Sequence, residues 1–258
     1  MLNIQEIKLY YPEFLRKFDR FIYREYLQYK ILEIIFDSPF ANKMSFIGGT
    51  CLRIVHNNNR FSEDIDFDNF NLPDDEFKKL SEIIETRLSL LGYNVEMRNV
   101  SKGAYHCYIR FPELLFRENL SSHKEEKILI QIDSETQKFD YQPQKHILNK
   151  FDVFTKINTA PKEILLSQKF FAVLNRKRNK GRDFFDIVFL LGMGVEPDFA
   201  YLSHKTGINN SQELKKAVID KCAKLNMSKM AEDVKPFLFN GNDVKKILLF
   251  EEYISRIM

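Results

Sequence analysis

The feature that most restricts the fold is a change of hydrophobic pattern near residue 140. Before this point, strand-type patterns alternate with helical ones, whereas from Pro161 onward the signals are helical. No Pro/Gly-rich linker, internal repeat or low-complexity tract separates the two parts. We therefore predict an α+β protein, in which a mixed-sheet lobe at residues 1–145 is followed by a helical-bundle lobe at residues 146–258.

The elements expected in each lobe follow from these patterns. In the first lobe we predict strands at 44–48, 65–70, 93–100, 105–114 and 128–135, with helices at 14–36, directly behind residue 49, and from Asp74 or Asp75 to Leu91. The turn between the third and fourth strands is expected at residues 101–103. In the second lobe we predict helices from Pro161 to about Arg176, from Arg182 to Leu191, and in two or more segments after Asn210.

Composition excludes several classes of protein. With 44% hydrophobic and 29% charged residues, the chain has the make-up of a globular protein. No apolar stretch approaches membrane-spanning length, so we expect no membrane partner and a cytoplasmic location. Cys51, Cys107 and Cys222 are widely spaced and lack histidines at ligand spacing, which favours buried free thiols. The net charge of +3 is too small to indicate nucleic-acid binding by itself.

A glycine pair, Gly48-Gly49, stands between a predicted strand and a predicted helix. Glycine allows a sharp turn and close approach to a ligand, and the following helix would point free N–H groups at a phosphate. The hydroxyl of Thr50 could add a further donor. Taken alone, this pattern also fits an ordinary strand-to-helix turn, which is the commoner explanation.

Two aspartates lie in the next strand, in the sequence Asp64-Ile65-Asp66. The strand period of two places both carboxylates on one face. Two such close negative charges repel each other unless cations neutralise them, and a pair of magnesium ions holding a triphosphate would do so. The alternative is an acidic edge strand whose charges face water, and the acidic run alone does not separate the two.

Together, these motifs resemble the nucleotidyltransferase (polymerase-beta-like) superfamily, in which a strand, a glycine turn, a helix and an Asp-x-Asp strand form the metal and triphosphate site. Gly-Gly-Thr followed by residues 60–67, RFSEDIDF, is most similar to the AbiEii-type nucleotidyltransferase toxins of bacterial toxin–antitoxin and phage-defence systems. The resemblance covers most of the chain. The spacing from Gly49 to Asp64 is slightly long for the superfamily at large but suits this branch.

The resemblance implies a nucleoside triphosphate substrate and a metal cofactor. Gly48, Gly49, Thr50 and Arg60 would contact the nucleotide, while Asp64 and Asp66 would bind two Mg²⁺ ions, which Mn²⁺ could replace. It also implies transfer of a nucleoside monophosphate to RNA, with a tRNA 3′ end as the expected acceptor, and a cognate antitoxin as a partner. Enzymes that modify an aminoglycoside or a protein hydroxyl share this metal site, and a catalytically silent nucleotide-binding regulator would share the fold, so these alternatives stay open.

A third carboxylate is expected from a neighbouring strand. Asp133 is the candidate because it ends the apolar strand 128–135, but Glu135 lies on the same face and could replace it. A turn-capping role for Asp133 is the structural alternative.

The family pattern continues into the second lobe, with a lysine on one helix and a basic-then-acidic motif on the next. The matching positions are Lys169, Arg178, Arg182, Asp183 and Asp186, with arginine at 182 in place of the usual lysine. The resemblance implies catalytic roles for Lys169 and Asp183. It implies nucleotide contacts for Lys169, Arg178, Arg182 and Asp186. An ordinary i,i+4 ion pair between Arg182 and Asp186 is the alternative. RNA phosphates would be contacted by the cations Arg176, Lys177, Arg178 and Lys180, which could instead form a solvated loop.

None of the five histidines has an Asp or Cys at a spacing that would indicate a catalytic pair.

Overall fold

Seven strands form one mixed sheet in the part of the chain that the computed structural model describes, which is residues 1–101 and 103–258. The strands are β1 (Met44–Ile47), β2 (Ile65–Asn69), β3 (Glu96–Ser101), β4 (Tyr105–Phe111), β5 (Ile128–Glu135), β6 (Gln144–Lys150) and β7 (Val153–Thr159). Their order across the sheet is β3-β4-β5-β2-β1-β7-β6. β2 runs parallel to β5 and β1 runs parallel to β7, while the remaining pairs are antiparallel. The predicted α+β class is confirmed.

Five helices accompany this sheet among the described residues: α1 (Ile4–Lys8), α2 (Asp19–Phe36), α3 (Gly48–Ile54), α4 (Asp74–Leu90) and α5 (Leu114–Arg117). Helix α2 forms because its apolar side chains recur at helical spacing, and Ile22, Tyr26 and Tyr29 are all buried. On the sheet, Phe46 and Phe67 pack with their ring centroids 5.7 Å apart. These side chains alternate with polar ones along β1 and β2, so the strand period decides which residues enter the core.

The strands β6 and β7 correct the predicted lobe boundary at residues 145/146. The sheet unit consists of Met1–His56, Phe61–Lys138 and Pro143–Thr159, and it therefore extends beyond that boundary. Strand β6 carries only one buried residue, Leu148, so it lacks the apolar alternation from which a strand is predicted. The turn expected at 101–103 includes Lys102, which lies outside the described residues.

The helical unit consists of Asn57–Arg60, Phe139–Gln142 and Ala160–Met258. Within the described residues its helices are α6 (Lys162–Asn175), α7 (Gly181–Gly192), α8 (Phe199–Thr206), α9 (Ser211–Cys222), α10 (Met227–Val234), α11 (Lys245–Leu248) and α12 (Phe250–Ile257). The first two agree closely with the predicted helices. The buried rings of Phe184 and Phe250 meet edge to face, with their centroids 4.9 Å apart, and join α7 to α12.

Two simpler expectations concern cysteines and membranes. Cys51, Cys107 and Cys222 are free and buried, as predicted. Burial raises the pKa of Cys107 to about 12, so this thiol stays protonated near neutral pH. No helix in the described ranges is long and apolar enough to cross a membrane.

Candidate active site

The turn between β1 and α3 is built around the carboxylate of Asp66. Gly48 has a φ of +77°, a conformation that side chains disfavour. A Cβ placed on Gly48 would lie 2.1 Å from Oδ2 of Asp66, because Asp66 pairs with Ile47 at the end of β1. Glycine is therefore needed both for the backbone conformation and for the space that the carboxylate occupies.

Register places a second carboxylate beside Asp66. In the parallel pair β2–β5, Asp66 lies opposite Asp133, and both side chains are partly exposed. Glu135, the alternative third carboxylate, lies opposite Asp68, two residues further along each strand. Since directly paired residues of adjacent strands project to the same face, Asp133 is the closer of the two to Asp66 in the sheet.

Asp64 precedes β2, and Thr50 determines how its backbone is held. Thr50 is fully buried, and its hydroxyl donates to the backbone carbonyl of Asp64. The sequence predicted that this hydroxyl would contact a phosphate. In the structure this buried hydroxyl connects the first turn of α3 to Asp64, directly before β2.

His106 is a neighbour of Asp133 that the sequence did not reveal. The two residues pair across β4 and β5, and Nδ1 of His106 lies 2.6 Å from Oδ1 of Asp133. The same Oδ1 accepts a hydrogen bond of 2.7 Å from Nε2 of Gln131. The expectation that no histidine pairs with an aspartate was therefore wrong, because this partnership depends on strand register rather than on sequence spacing.

The donor chemistry of this face suits a hard divalent cation. Asp64, Asp66 and Asp133 offer carboxylate oxygens, the ligands that Mg²⁺ prefers, and the absence of a side chain on Gly48 leaves the space that the Asp66 carboxylate occupies. Among the described residues, however, no group of three or more His, Cys, Asp or Glu side chains is close enough to hold a metal ion. The residues therefore fit Mg²⁺ in the chemistry of their oxygen ligands, while the carboxylates are not gathered into a closed ligand set.

A second cluster of charged residues lies within the helical unit, where Asp186 is completely buried. It accepts hydrogen bonds from Nε and Nη2 of Arg60, at 2.7 and 2.6 Å, and lies 2.9 Å from Nζ of Lys169. Burial acts to raise the pKa of Asp186, but the cations of Arg60 and Lys169 outweigh it and lower this pKa to about 2. Asn58 adds a hydrogen bond of 2.8 Å, so the carboxylate is ionised and well satisfied.

Asp183 joins the same cluster through two cations. Its Oδ1 lies 3.2 Å from Nζ of Lys169, and its Oδ2 accepts a hydrogen bond of 2.7 Å from Nη1 of Arg176. Burial acts to lower the pKa of Lys169, but Asp186 and Asp183 raise it further than burial lowers it. Lys169 is therefore a buried ammonium held between two carboxylates.

The remaining predicted residues of this unit lie nearer the surface. Arg182 is partly exposed, and its guanidinium lies 4.9 Å from the centroid of the Phe237 ring. Arg178 is exposed in the segment between α6 and α7, as are Arg176 and Lys177. A buried ion-pair cluster around Lys169 is thus followed along the chain by a run of exposed cations, and Arg176 takes part in both.

Comparisons with known proteins agree with this fold. The sequence model of a family described as nucleotidyl transferase AbiEii toxin, type IV TA system, matches residues 30–248. The crystal structure of JHP933 from Helicobacter pylori is similar, with a TM-score of 0.56 and 16% identity over 92% of this chain and 91% of that chain. A second H. pylori structure, of a protein proposed to be a nucleotidyltransferase, gives a TM-score of 0.53 and 15% identity over 92% and 97% of the two chains. A search of curated proteins found no match.

Proposed function

The chain belongs to the AbiEii nucleotidyltransferase toxin family of type IV toxin–antitoxin systems, and we propose that it transfers a nucleoside monophosphate to RNA in a magnesium-dependent reaction. The donor is a nucleoside triphosphate, and the expected acceptor is the 3′ end of a tRNA. Family membership also implies that the protein acts together with a cognate antitoxin.

The observation that carries this proposal is the arrangement of Gly48, Asp66 and Asp133. A positive-φ glycine packs against one carboxylate, and strand register sets a second carboxylate beside the first. We assign Asp64, Asp66 and Asp133 to two Mg²⁺ ions, with Mn²⁺ as a substitute. Bound magnesium would neutralise the triphosphate and the charge that develops on the leaving pyrophosphate.

The protein's own groups would then position the reactants and move one proton. The backbone of Gly48 and Gly49 would lie against the triphosphate, and Gly48, which has no side chain of its own, would hold it beside the Asp66 carboxylate. The acceptor hydroxyl forms a bond to the α-phosphorus, the bond from that phosphorus to the bridging oxygen breaks, and pyrophosphate departs. Asp133 accepts the hydroxyl proton, and His106 and Gln131 fix the orientation of its carboxylate.

In the helical unit, burial divides the predicted residues into two groups. Arg60 and Asp186 are 1% and 0% exposed, so we propose that they position Lys169 rather than contact the nucleotide. Lys169 and Asp183 retain their proposed catalytic role, as the residues that this network holds in place. Arg178 and the partly exposed Arg182 are accessible to phosphate, and the exposed or partly exposed cations Arg176, Lys177, Arg178 and Lys180 suit RNA phosphates.

A labelling experiment tests the proposal. The protein is incubated with each α-labelled nucleoside triphosphate, Mg²⁺, total tRNA and a panel of aminoglycosides, beside an Asp66→Ala variant. We expect label on RNA from the wild type and none from the variant. Label on an aminoglycoside would support the small-molecule alternative. If wild type and variant are equally inactive and neither binds a nucleoside triphosphate, the enzymatic proposal is wrong for this protein.

A further inference from the structure

On one face of the sheet unit, a row of side chains that includes an arginine and a tyrosine lies next to the row that contains Asp133. The register of β3, β4 and β5 places Arg98, Tyr108 and Gln131 side by side. The adjacent row along the same strands contains Val100, His106 and Asp133. Because residues two apart on a strand share a face, Tyr108 and Arg98 border the row that contains the proposed catalytic carboxylate.

This face is open, whereas the opposite face of the same strands is buried. Arg98 is exposed, and Tyr108, Arg110 and Gln131 are partly exposed. The intervening residues face the other way and are buried, as Cys107, Ile109, Ile130 and Ile132 show. Helices α2 and α4 pack against the strands on that buried side, where the ring of Phe77 in α4 stacks on Tyr105. The row around Tyr108 is therefore available to a ligand.

The charge of the open face is positive around Tyr108. Glu96 lies opposite Arg110 in the β3–β4 register, but its charge is neutralised by Lys127, whose Nζ is 2.8 Å from Oε1 of Glu96. Neither Arg98 nor Arg110 makes an ion pair with any described residue. Two guanidinium groups that are not held in ion pairs, next to an accessible ring, suit phosphates and a base, and they would repel a polycationic aminoglycoside.

We propose that this face binds the single-stranded 3′ end of the RNA acceptor, an inference that rests on the function proposed above. Tyr108 stacks on a base near the 3′ end, and Arg98 and Arg110 contact the phosphates that flank it. The terminal ribose hydroxyl then lies at Asp133, in the row next to Tyr108. The β3–β5 face selects an RNA strand with an accessible end, because duplex RNA presents no free base to Tyr108.

The test separates RNA binding from nucleotide binding. The probes are a short fluorescein-labelled single-stranded RNA with a free 3′ hydroxyl, for anisotropy, and total tRNA, for the KM of transfer. Tyr108→Ala should weaken RNA binding by roughly 5- to 150-fold, whereas Tyr108→Phe, which keeps the ring, should bind as the wild type does. The double variant Arg98→Ala/Arg110→Ala should reduce the slope of log affinity against log salt by roughly 0.7 for each lost phosphate contact.

Arg87→Ala is the matched control, because Arg87 is an exposed arginine on α4, against the opposite face of the sheet. It should change neither RNA binding nor KM, and affinity for the nucleoside triphosphate should be unchanged in every variant. If the wild type labels RNA but the Tyr108 and arginine variants keep its RNA affinity and KM, this surface is wrong while the proposed function stands. If the wild type neither labels nor binds RNA, the proposed function fails and the surface assignment falls with it.

Discussion

Replacing Gly48 with alanine tests whether the β1–α3 turn and the Asp66 carboxylate work as one unit. The added Cβ would begin 2.1 Å from Oδ2 of Asp66, and this distance has to open by about 1 Å to reach an acceptable contact. The neighbour that must move is the carboxylate proposed to bind metal. The same alanine would also be held at a φ of +77°.

Two magnitudes follow from this geometry. An L-residue in a left-handed conformation costs about 1–2 kcal/mol, which lowers the Tm of a chain of this size by roughly 2–8 °C. A displacement of about 1 Å in a group that positions reactants costs on the order of 100-fold in rate. We therefore expect Gly48→Ala to be a modestly destabilised protein with a severe loss of transfer activity.

Gly92→Ala provides the matched control. Gly92 also has a positive φ, of +88°, but nothing lies within 4 Å of the Cβ that alanine would add. Both variants should lose stability through the left-handed backbone, measured by thermal unfolding, with any additional loss in Gly48→Ala coming from the contact with Asp66. Only Gly48→Ala should lose kcat for transfer of labelled nucleoside monophosphate. Equal kcat values for the two variants would refute the coupling between this turn and Asp66.

Three further outcomes are expected. Asp186→Asn leaves Arg60 and Lys169 without their buried carboxylate and should lower the free energy of unfolding by about 3–5 kcal/mol, measured by urea titration. The control Glu252→Gln breaks the exposed i,i+4 ion pair with Arg256 and should change the free energy of unfolding by no more than about 0.5 kcal/mol. Equal losses of stability in Asp186→Asn and Glu252→Gln would contradict the reasoning. In the folded protein, burial is outweighed by Arg60 and Lys169, which lower the pKa of Asp186 from its ordinary 3.8 to about 2. The ionised carboxylate therefore stabilises the folded state by roughly 2 kcal/mol above about pH 4. That contribution should vanish as the pH falls from 4 toward 2. If the free energy of unfolding changed with pH in parallel for the wild type and Asp186→Asn in this range, the prediction would be wrong. Removing divalent cations with EDTA should abolish label transfer and added Mg²⁺ or Mn²⁺ should restore it, whereas full activity in EDTA would exclude the metal role of Asp66.

Local patterns were sufficient for much of the fold and for choosing Gly48 and Asp66 as candidate site residues. A strand, a glycine pair and a helix can be read from neighbouring residues, whereas the shared strand face of Asp64 and Asp66 stays a prediction, because β2 begins at Ile65. Helices α6 and α7 also agree with their apolar spacing. These features depend on backbone sterics and on periodicities that span only a few residues.

Tertiary structure decided the features that join distant segments. The pairing of Asp66 with Asp133, and of Asp133 with His106, depends on the register of strands far apart in sequence. The partners of Asp186 were hidden for the same reason, because Arg60 lies 126 residues away along the chain. Strand β6 escaped prediction because an edge strand with one buried residue lacks an apolar period. A sequence fixes which side chains can share a local face, but only the folded sheet and helices determine which charges become neighbours.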